Sequence, residues 1–231
     1  ETHGFPRIDV YNILGNPFTT TEPPVDPGER GQVTQLREGI EDDFVLADLN
    51  AQFDLGSVVL TSITSYTDRE VVVVRDATSL SGSVTYQLGG LPAEVRLNSP
   101  LIDTTDLQAF SQEVRLASDY EGTFEWVVGA FYQEIERDYR QDLPTPGFDD
   151  FLARLGQAPS TGFRAPPDNP YFSRIPYDFS QFALFGEGTL HFTEQWSLTA
   201  GIRYYDFEED RLLTFAGIFA DQGYTEEPGW T

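Results

Sequence analysis

The chain has 231 residues and a formal net charge of -24, which excludes nucleic acid as a partner because the phosphate backbone requires a basic face. Cysteine is absent, removing disulfides and thiolate metal sites, and no run of about 18 apolar residues offers a transmembrane helix. Aromatic residues reach 14%, which suits β-structure. Every basic residue is arginine, whose fork holds crowded carboxylates bidentately. Methionine is also absent and no signal peptide opens the chain, so Glu1 is not expected to be a translation start.

Residues 1–42 read as loop, broken by Pro6, Pro17, Pro23, Pro24 and Pro27. Strict alternation then predicts a strand over 43–55, with Val45, Ala47, Leu49, Ala51, Phe53 and Leu55 on one face and Asp48, Asn50, Gln52 and Asp54 on the other. After a turn at Gly56 a return strand is expected over 58–74, extended by the run Val71-Val72-Val73-Val74. Its facing is ambiguous, because Leu60 and Tyr66 suggest one side and Val59 and Ile63 the other. A long connection follows. Strands over 107–118 and 124–139 then flank a turn at residues 119–122, with Phe110, Val114 and Leu116 opposite Ser111, Glu113 and Arg115.

Residues 140–176 form a proline-rich connection. Inside it, 149–156 is expected to make a short helix capped by Asp149 and ended by Gly156. The last hairpin, 178–192 and 196–209, has the clearest pattern. Trp196, Leu198, Ala200, Ile202 and Tyr204 share a face that is aromatic at both ends, and Ser197, Thr199, Gly201, Arg203 and Tyr205 share the other. Aromatic ends flanking an aliphatic middle match a strand that crosses a bilayer, where rings favour the headgroup level. Residues 211–231 read as the start of another connection.

Turns near Gly56, Gly122 and Gln195 recur at intervals of about 70 residues, each in a long-armed hairpin. Short turns at one end and long connections at the other are the asymmetry of an outer-membrane barrel. The expected fold is all-β: an antiparallel transmembrane β-barrel segment of about six long strands in three hairpins, open-edged, with long external loops.

The stretch Phe110-Ser111-Gln112-Glu113-Val114-Arg115-Leu116-Ala117-Ser118, followed by Trp126-Val127-Val128-Gly129-Ala130-Phe131-Tyr132, resembles a barrel hairpin of TonB-dependent outer-membrane receptors. So does Gln181-Phe182-Ala183-Leu184-Phe185-Gly186-Glu187 with Leu198-Thr199-Ala200-Gly201-Ile202-Arg203-Tyr204, and Leu60-Thr61-Ser62-Ile63-Thr64-Ser65-Tyr66 is similar to a further arm. The resemblance spans residues 43–210. It implies a Gram-negative outer-membrane importer: a barrel of twenty-two strands around an N-terminal plug, driven by the TonB complex and carrying a ferric siderophore or another small ligand. On this resemblance the chain is an internal piece of the barrel, without the plug, and is expected neither to fold stably nor to transport alone. The rival readings are a passive porin-type barrel, a secreted β-rich binding module whose apolar stripes would be buried, and a barrel-shaped enzyme.

Candidate residues follow from position. Trp126, Tyr132, Trp196 and Tyr204 are assigned to membrane girdles. Glu113, Arg115, Glu187 and Arg203 are lumen polar candidates, and His191 is expected in the lumen near the periplasmic turn. The loop aromatics Phe148, Phe151, Phe163, Tyr171 and Phe172 are ligand-contact candidates. The acidic clusters Asp149-Asp150 and Glu208-Glu209-Asp210 lack a cation-loop signature and read as solvated surface, with a secondary role in bridging divalent ions to lipopolysaccharide. No catalytic triad, phosphate loop or zinc-spaced histidine pair is present, so neither an enzyme nor a cofactor is expected.

Overall fold

A computed structural model describes residues 34–119, 122–220 and 225–228. One seven-stranded antiparallel sheet dominates it, with neighbours in strict sequence order. The strands are β1 (Gly39–Asp54), β2 (Val58–Asp76), β3 (Pro100–Ser118), β4 (Phe124–Asp142), β5 (Phe172–Thr193), β6 (Trp196–Ala216) and the short β7 (Thr225–Pro228). Six of them run for 16–22 residues, against about 5–6 for an average strand of a soluble protein. An up-and-down meander with such long arms is the wall of a barrel, cut open at β1 and β7.

The turns at one end are tight. Leu55 N–H donates to Val58 O at 2.9 Å, and Gly56 takes φ +95 with its N–H on Asp54 Oδ1. Between β5 and β6, Thr193 Oγ1 accepts from the amides of Gln195 and Trp196. Residues 120 and 121 of the middle turn, residues 1–33 of the expected N-terminal loop, and 221–224 and 229–231 lie outside the described residues.

At the other end every strand outruns its expected limit. β1 starts at Gly39 rather than 43, β3 at Pro100 rather than 107, and β5 at Phe172 rather than 178. β6 continues to Ala216 and β7 follows, where a single loop was expected. Proline explains β5. Pro176 has no N–H, and the β5–β6 register skips Ile175 and Pro176, while on the other side Pro176 stays paired to Asp138. The connection between β2 and β3 carries an unexpected helix, α1 (Thr78–Gln87). Its leading amide, Thr78 N–H, is taken by Asp76 Oδ1 at 2.9 Å.

Register puts even-numbered residues of β2–β6, and odd-numbered ones of β1, on a single face. The sheet is concave on the other side: in β5 Ala183 is wholly buried while its neighbour Leu184 is 49% exposed. Two glycines lock β4 to β5. A Cβ on Gly129 would stand 2.4 Å from Cζ of Phe185 on the concave face, and one on Gly188 would stand 2.8 Å from Cε2 of Phe124 on the convex face.

Candidate functional site

The convex face is apolar and open. Trp196 is 73% exposed, Ile202 80% and Tyr204 62%, and Leu198, Leu49 and Phe53 are also exposed. Among the described residues nothing covers this stripe, in contrast to the buried stripes expected of a secreted module. An upper row of rings follows the register: Tyr66 pairs with Phe110, Tyr132 with Phe182, and Tyr204 with Leu184. A lower set, Phe53, Phe124, Phe192 and Trp196, lies toward the tight turns. From Trp196 to Tyr204 is about 26 Å along the strand, which at a tilt of about 40° is about 20 Å of height, within the lipid-facing band of about 25 Å of an outer-membrane barrel. Trp126 is half-buried on the same face.

One polar notch interrupts the stripe. Gln112 Nε2 donates to Ser62 Oγ at 3.0 Å, and Thr64 Oγ1 donates to Gln112 Oε1 at 2.6 Å. The three side chains satisfy one another, which makes them tolerable against hydrocarbon. They also explain the ambiguous facing of β2. Leu60 and Tyr66 lie on the lipid side, while Val59 and Ile63 look inward.

Above the upper rings the convex face turns acidic. Glu136, Asp178 and Asp210 stand side by side in one register row, and Glu134, Glu208 and Asp206 lie just below. Like charges directly opposite one another cost stability, so this belt requires counter-ions. Among the described residues no three His or acidic side chains converge to hold a metal ion. Higher still, Arg174 pairs with Asp138 and Arg140 with Asp142, each at 2.5 Å.

The concave face has different chemistry. Near the tight turns His191 Nε2 is 3.3 Å from Glu125 Oε1, and Arg115 Nη1 is 3.6 Å from Glu113 Oε1. Glu187 lies on this face too, one register row from Arg203. Arg203 does not turn to it: its guanidinium lies 5.6 Å from the ring centroids of both Phe131 and Phe185. Higher on the wall, Tyr177, Phe179, Phe207 and Tyr205 form a ladder of rings with successive centroid gaps of 6.3, 6.1 and 6.0 Å. Arg137 caps the ladder, 5.2 Å from the Tyr177 centroid. Sequence patterning missed these rings because they fall on the face read as polar; the alternation of Tyr205 and Phe207 with Tyr204 and Asp206 was the available signal. At the mouth, Asp103 is buried against Arg75, Tyr139 Oη (2.8 Å) and Gln141 Nε2 (2.5 Å). Burial, and then the bond to Asp103, push the Tyr139 hydroxyl up to about 12.

The long connections fold into a cap with a core of its own. Helix α2 (Phe148–Arg154) buries Phe148, Phe151 and Leu152, and Leu155, Phe163, Ile218 and Phe219 pack around them. Phe148 meets Phe151 at 5.4 Å and Phe219 edge-on at 5.5 Å. Two of the five aromatic ligand candidates, Phe148 and Phe151, therefore offer a ligand no surface: they are 0% and 1% exposed. Phe163, Tyr171 and Phe172 are half-buried, and Phe172 lies under Arg140 at 5.3 Å.

Asp149 does not cap α2 as expected, since the position before the helix is Gly147. Its carboxylate instead accepts the Ser160 amide (2.7 Å), the Ser160 hydroxyl (2.6 Å) and the Asp168 amide (3.0 Å). Asp168 Oδ1 returns the bond by accepting Asp149 N–H at 2.8 Å. Burial pushes the Asp149 carboxyl up, but these donors outweigh it and hold the group below the usual carboxylate range. Arg154 clamps the cap to the β2–β3 connection through Glu94.

A long-stranded meander, apolar outside between two sets of exposed rings, polar inside and capped by folded loops, is a segment of a transmembrane β-barrel. The model of the TonB dependent receptor-like β-barrel family matches residues 3–227, and the chain belongs to that family, one of receptors rather than enzymes. Among solved structures it is similar to the ferric yersiniabactin uptake receptor FyuA from Yersinia pestis, with a TM-score of 0.59 and 11% identity. The match covers 87% of this chain and 27% of that one, so the chain spans about a quarter of that receptor's length. No curated protein sequence matches it.

Proposed function

We propose that this chain is barrel wall from a Gram-negative outer-membrane active importer, which takes up a small ligand such as a ferric siderophore and is energised by the TonB complex through a plug. One observation carries the reading: a sheet of this family has an uncovered apolar face between two aromatic girdles, backed by a polar, arginine- and ring-bearing face. An importer needs both, one to sit in lipid and one to line the path. A ferric chelate is the cargo inferred, and the shared fold with a receptor named for ferric yersiniabactin uptake is in keeping with it.

The acidic belt above the upper girdle meets the headgroup layer in this reading. There, divalent cations would bridge single carboxylates to lipopolysaccharide phosphates, relieving the crowding of Glu136, Asp178 and Asp210. The test is uptake of radiolabelled ferric chelates by cells expressing the receptor in its complete reading frame. Uptake should vanish when TonB is deleted. Uptake that persists without TonB would favour the passive porin-type barrel instead.

A further inference from the structure

Connections that close over a ligand need few buried contacts and low local stability, so that they can open and shut in microseconds to milliseconds. The connections at this mouth are built in the opposite way. The segment entering β1 is tied to the β2–β3 connection: the amides of Gln35 and Leu36 both donate to Asp76 Oδ2, at 2.5 and 3.1 Å, and Gln35 Nε2 donates to Asn98 Oδ1 at 2.6 Å. The β2–β3 connection is tied in turn to the β4–β5 connection. Thr145 Oγ1 donates to Ser99 Oγ at 3.0 Å, and both residues are buried. Leu97 lies over Gly147, where an added Cβ would stand 3.4 Å from its Cδ2, and the Arg154–Glu94 ion pair joins the same two connections.

The segment leaving β6 completes the series. Phe219 N–H donates to Pro170 O at 2.9 Å and Gly217 N–H to Phe163 O at 3.0 Å, while the Phe219 ring stands edge-on against Phe148. Gly217 takes φ +93 and approaches so closely that a Cβ there would lie 2.3 Å from Pro170 O. Four segments far apart in sequence thus interlock through buried polar bonds and one aromatic core. Interiors packed in this way transmit a displacement rather than absorb it. No segment lifts without stripping hydrogen-bond partners from another, and a buried polar group left without a partner is costly.

We propose that these four segments form a fixed abutment, one cooperative unit that holds its shape through the import cycle. Closure over a ligand then belongs to connections of the barrel outside residues 34–220. The unity of the abutment stands on the contacts above; its fixity during import rests on the importer reading.

Two measurements on the complete receptor test it. The first needs no ligand. Gly217→Ala drives the segment after β6 away from Pro170, and hydrogen exchange followed by mass spectrometry reads the consequence. Peptides covering Val95, Thr145 and Phe151 should all exchange roughly 10-fold or more faster than in the wild type, by similar factors. Phe219→Ala, which empties one side of the aromatic core, should give the same pattern and serves if Gly217→Ala does not assemble. Faster exchange confined to Phe163 and Phe219, with Val95 at wild-type protection, overturns the proposal, as does wild-type exchange throughout.

The second measurement locks the abutment. Ser99→Cys with Thr145→Cys puts two thiols where hydroxyl oxygens lie 3.0 Å apart, close enough for a disulfide, and this chain brings no other cysteine. Uptake of radiolabelled iron(III) tris-catecholate and iron(III) trihydroxamate complexes by cells with TonB should agree within about 2-fold between oxidised and reduced receptor. A drop of about 10-fold or more on oxidation, restored by reductant, means that the two connections part during import and overturns the proposal. A pair that does not oxidise also overturns it, because the connections would not be held in contact. If neither complex enters under any condition while exchange still changes as a unit, the importer reading falls and the cooperative unit stands.

Discussion

Replacing Asp149 should loosen the cap without touching the barrel. Its carboxylate accepts three hydrogen bonds, two from Ser160 and one from the Asp168 amide, at 2.6–3.0 Å. Hydrogen bonds to an ionised group contribute about 1.5–3 kcal/mol each. The three share one side chain and are not additive, and the site is partly open to water. A loss of about 3 kcal/mol of local stability for Asp149→Ala is therefore expected, and about 2 kcal/mol for Asp149→Asn, which keeps one acceptor oxygen. In hydrogen exchange on the intact receptor, 3 kcal/mol corresponds to roughly 10²-fold faster exchange of amides that open with the cap. The reporters are Ser160 N–H and Phe151 N–H, the latter bonded to Gly147 O at 3.2 Å.

The pH dependence has a definite sign. The folded carboxyl lies below its ordinary range, so its stabilisation is complete above the unfolded value of about 3.9 and fades as pH falls through the lower folded value. Protection at pH 5 should equal that at pH 7, then decline below about pH 4, and Asp149→Asn should abolish that decline. Unchanged exchange at Phe151 in Asp149→Ala would refute the reasoning, because the cap would then be held by its aromatic core alone.

Other expectations follow from the wall. Gly129→Ala forces the Phe185 ring out of its place beside Arg203 and should destabilise the barrel by about 1–3 kcal/mol in urea titrations. Gly186→Ala, whose Cβ would meet Val128 at an ordinary 3.4 Å, should be within about 0.5 kcal/mol of wild type. Ala200→Arg, midway between Trp196 and Tyr204 on the lipid face, should cost about 2–4 kcal/mol. Thr199→Arg on the other face loses only a 2.9 Å hydroxyl contact with Thr189 and should cost under about 1.5 kcal/mol by the same titration. Tyr139, pushed up to about 12, should stay protonated at pH 11 in ultraviolet difference spectra. Since its folded value is raised, its contribution is intact below the unfolded value of about 10 and is lost as pH climbs through 12.

Much of the wall was legible because period two survives wherever one face meets lipid. In β1 and β6 the alternation from Val45 to Phe53 and from Trp196 to Tyr204 identified strand and face together. β2 was opaque for a physical reason: Ser62 and Thr64 sit on the lipid face, and only Gln112, some fifty residues away, makes them acceptable there. Strand ends were read short because Pro176 and Pro100 look like breakers, yet each occupies a position where the ladder can forgo a donor or begin. The cap was least legible. Phe148 and Phe151 looked like free loop aromatics, and the partner that helps to bury them, Phe219, comes from the far side of the last hairpin. No local pattern carries that contact. The ring ladder escaped notice because alternation analysis sorts residues into oily and polar faces and has no category for rings on the inner one.

The two glycine holes between β4 and β5 bear on how the wall assembles. Phe185 fills the hole at Gly129 on the inside and Phe124 the hole at Gly188 on the outside. Sliding one strand past the other by two residues would preserve every facing and most backbone bonds, yet Phe185 would then face Val127 or Phe131 instead of Gly129. Phe124 would meet Leu190 in one direction, while in the other it would find Gly186, again without a Cβ. A misthreaded pair is thus rejected on the inside in either direction and on the outside in one, so the pairing proofreads itself before the rest of the cylinder is in place.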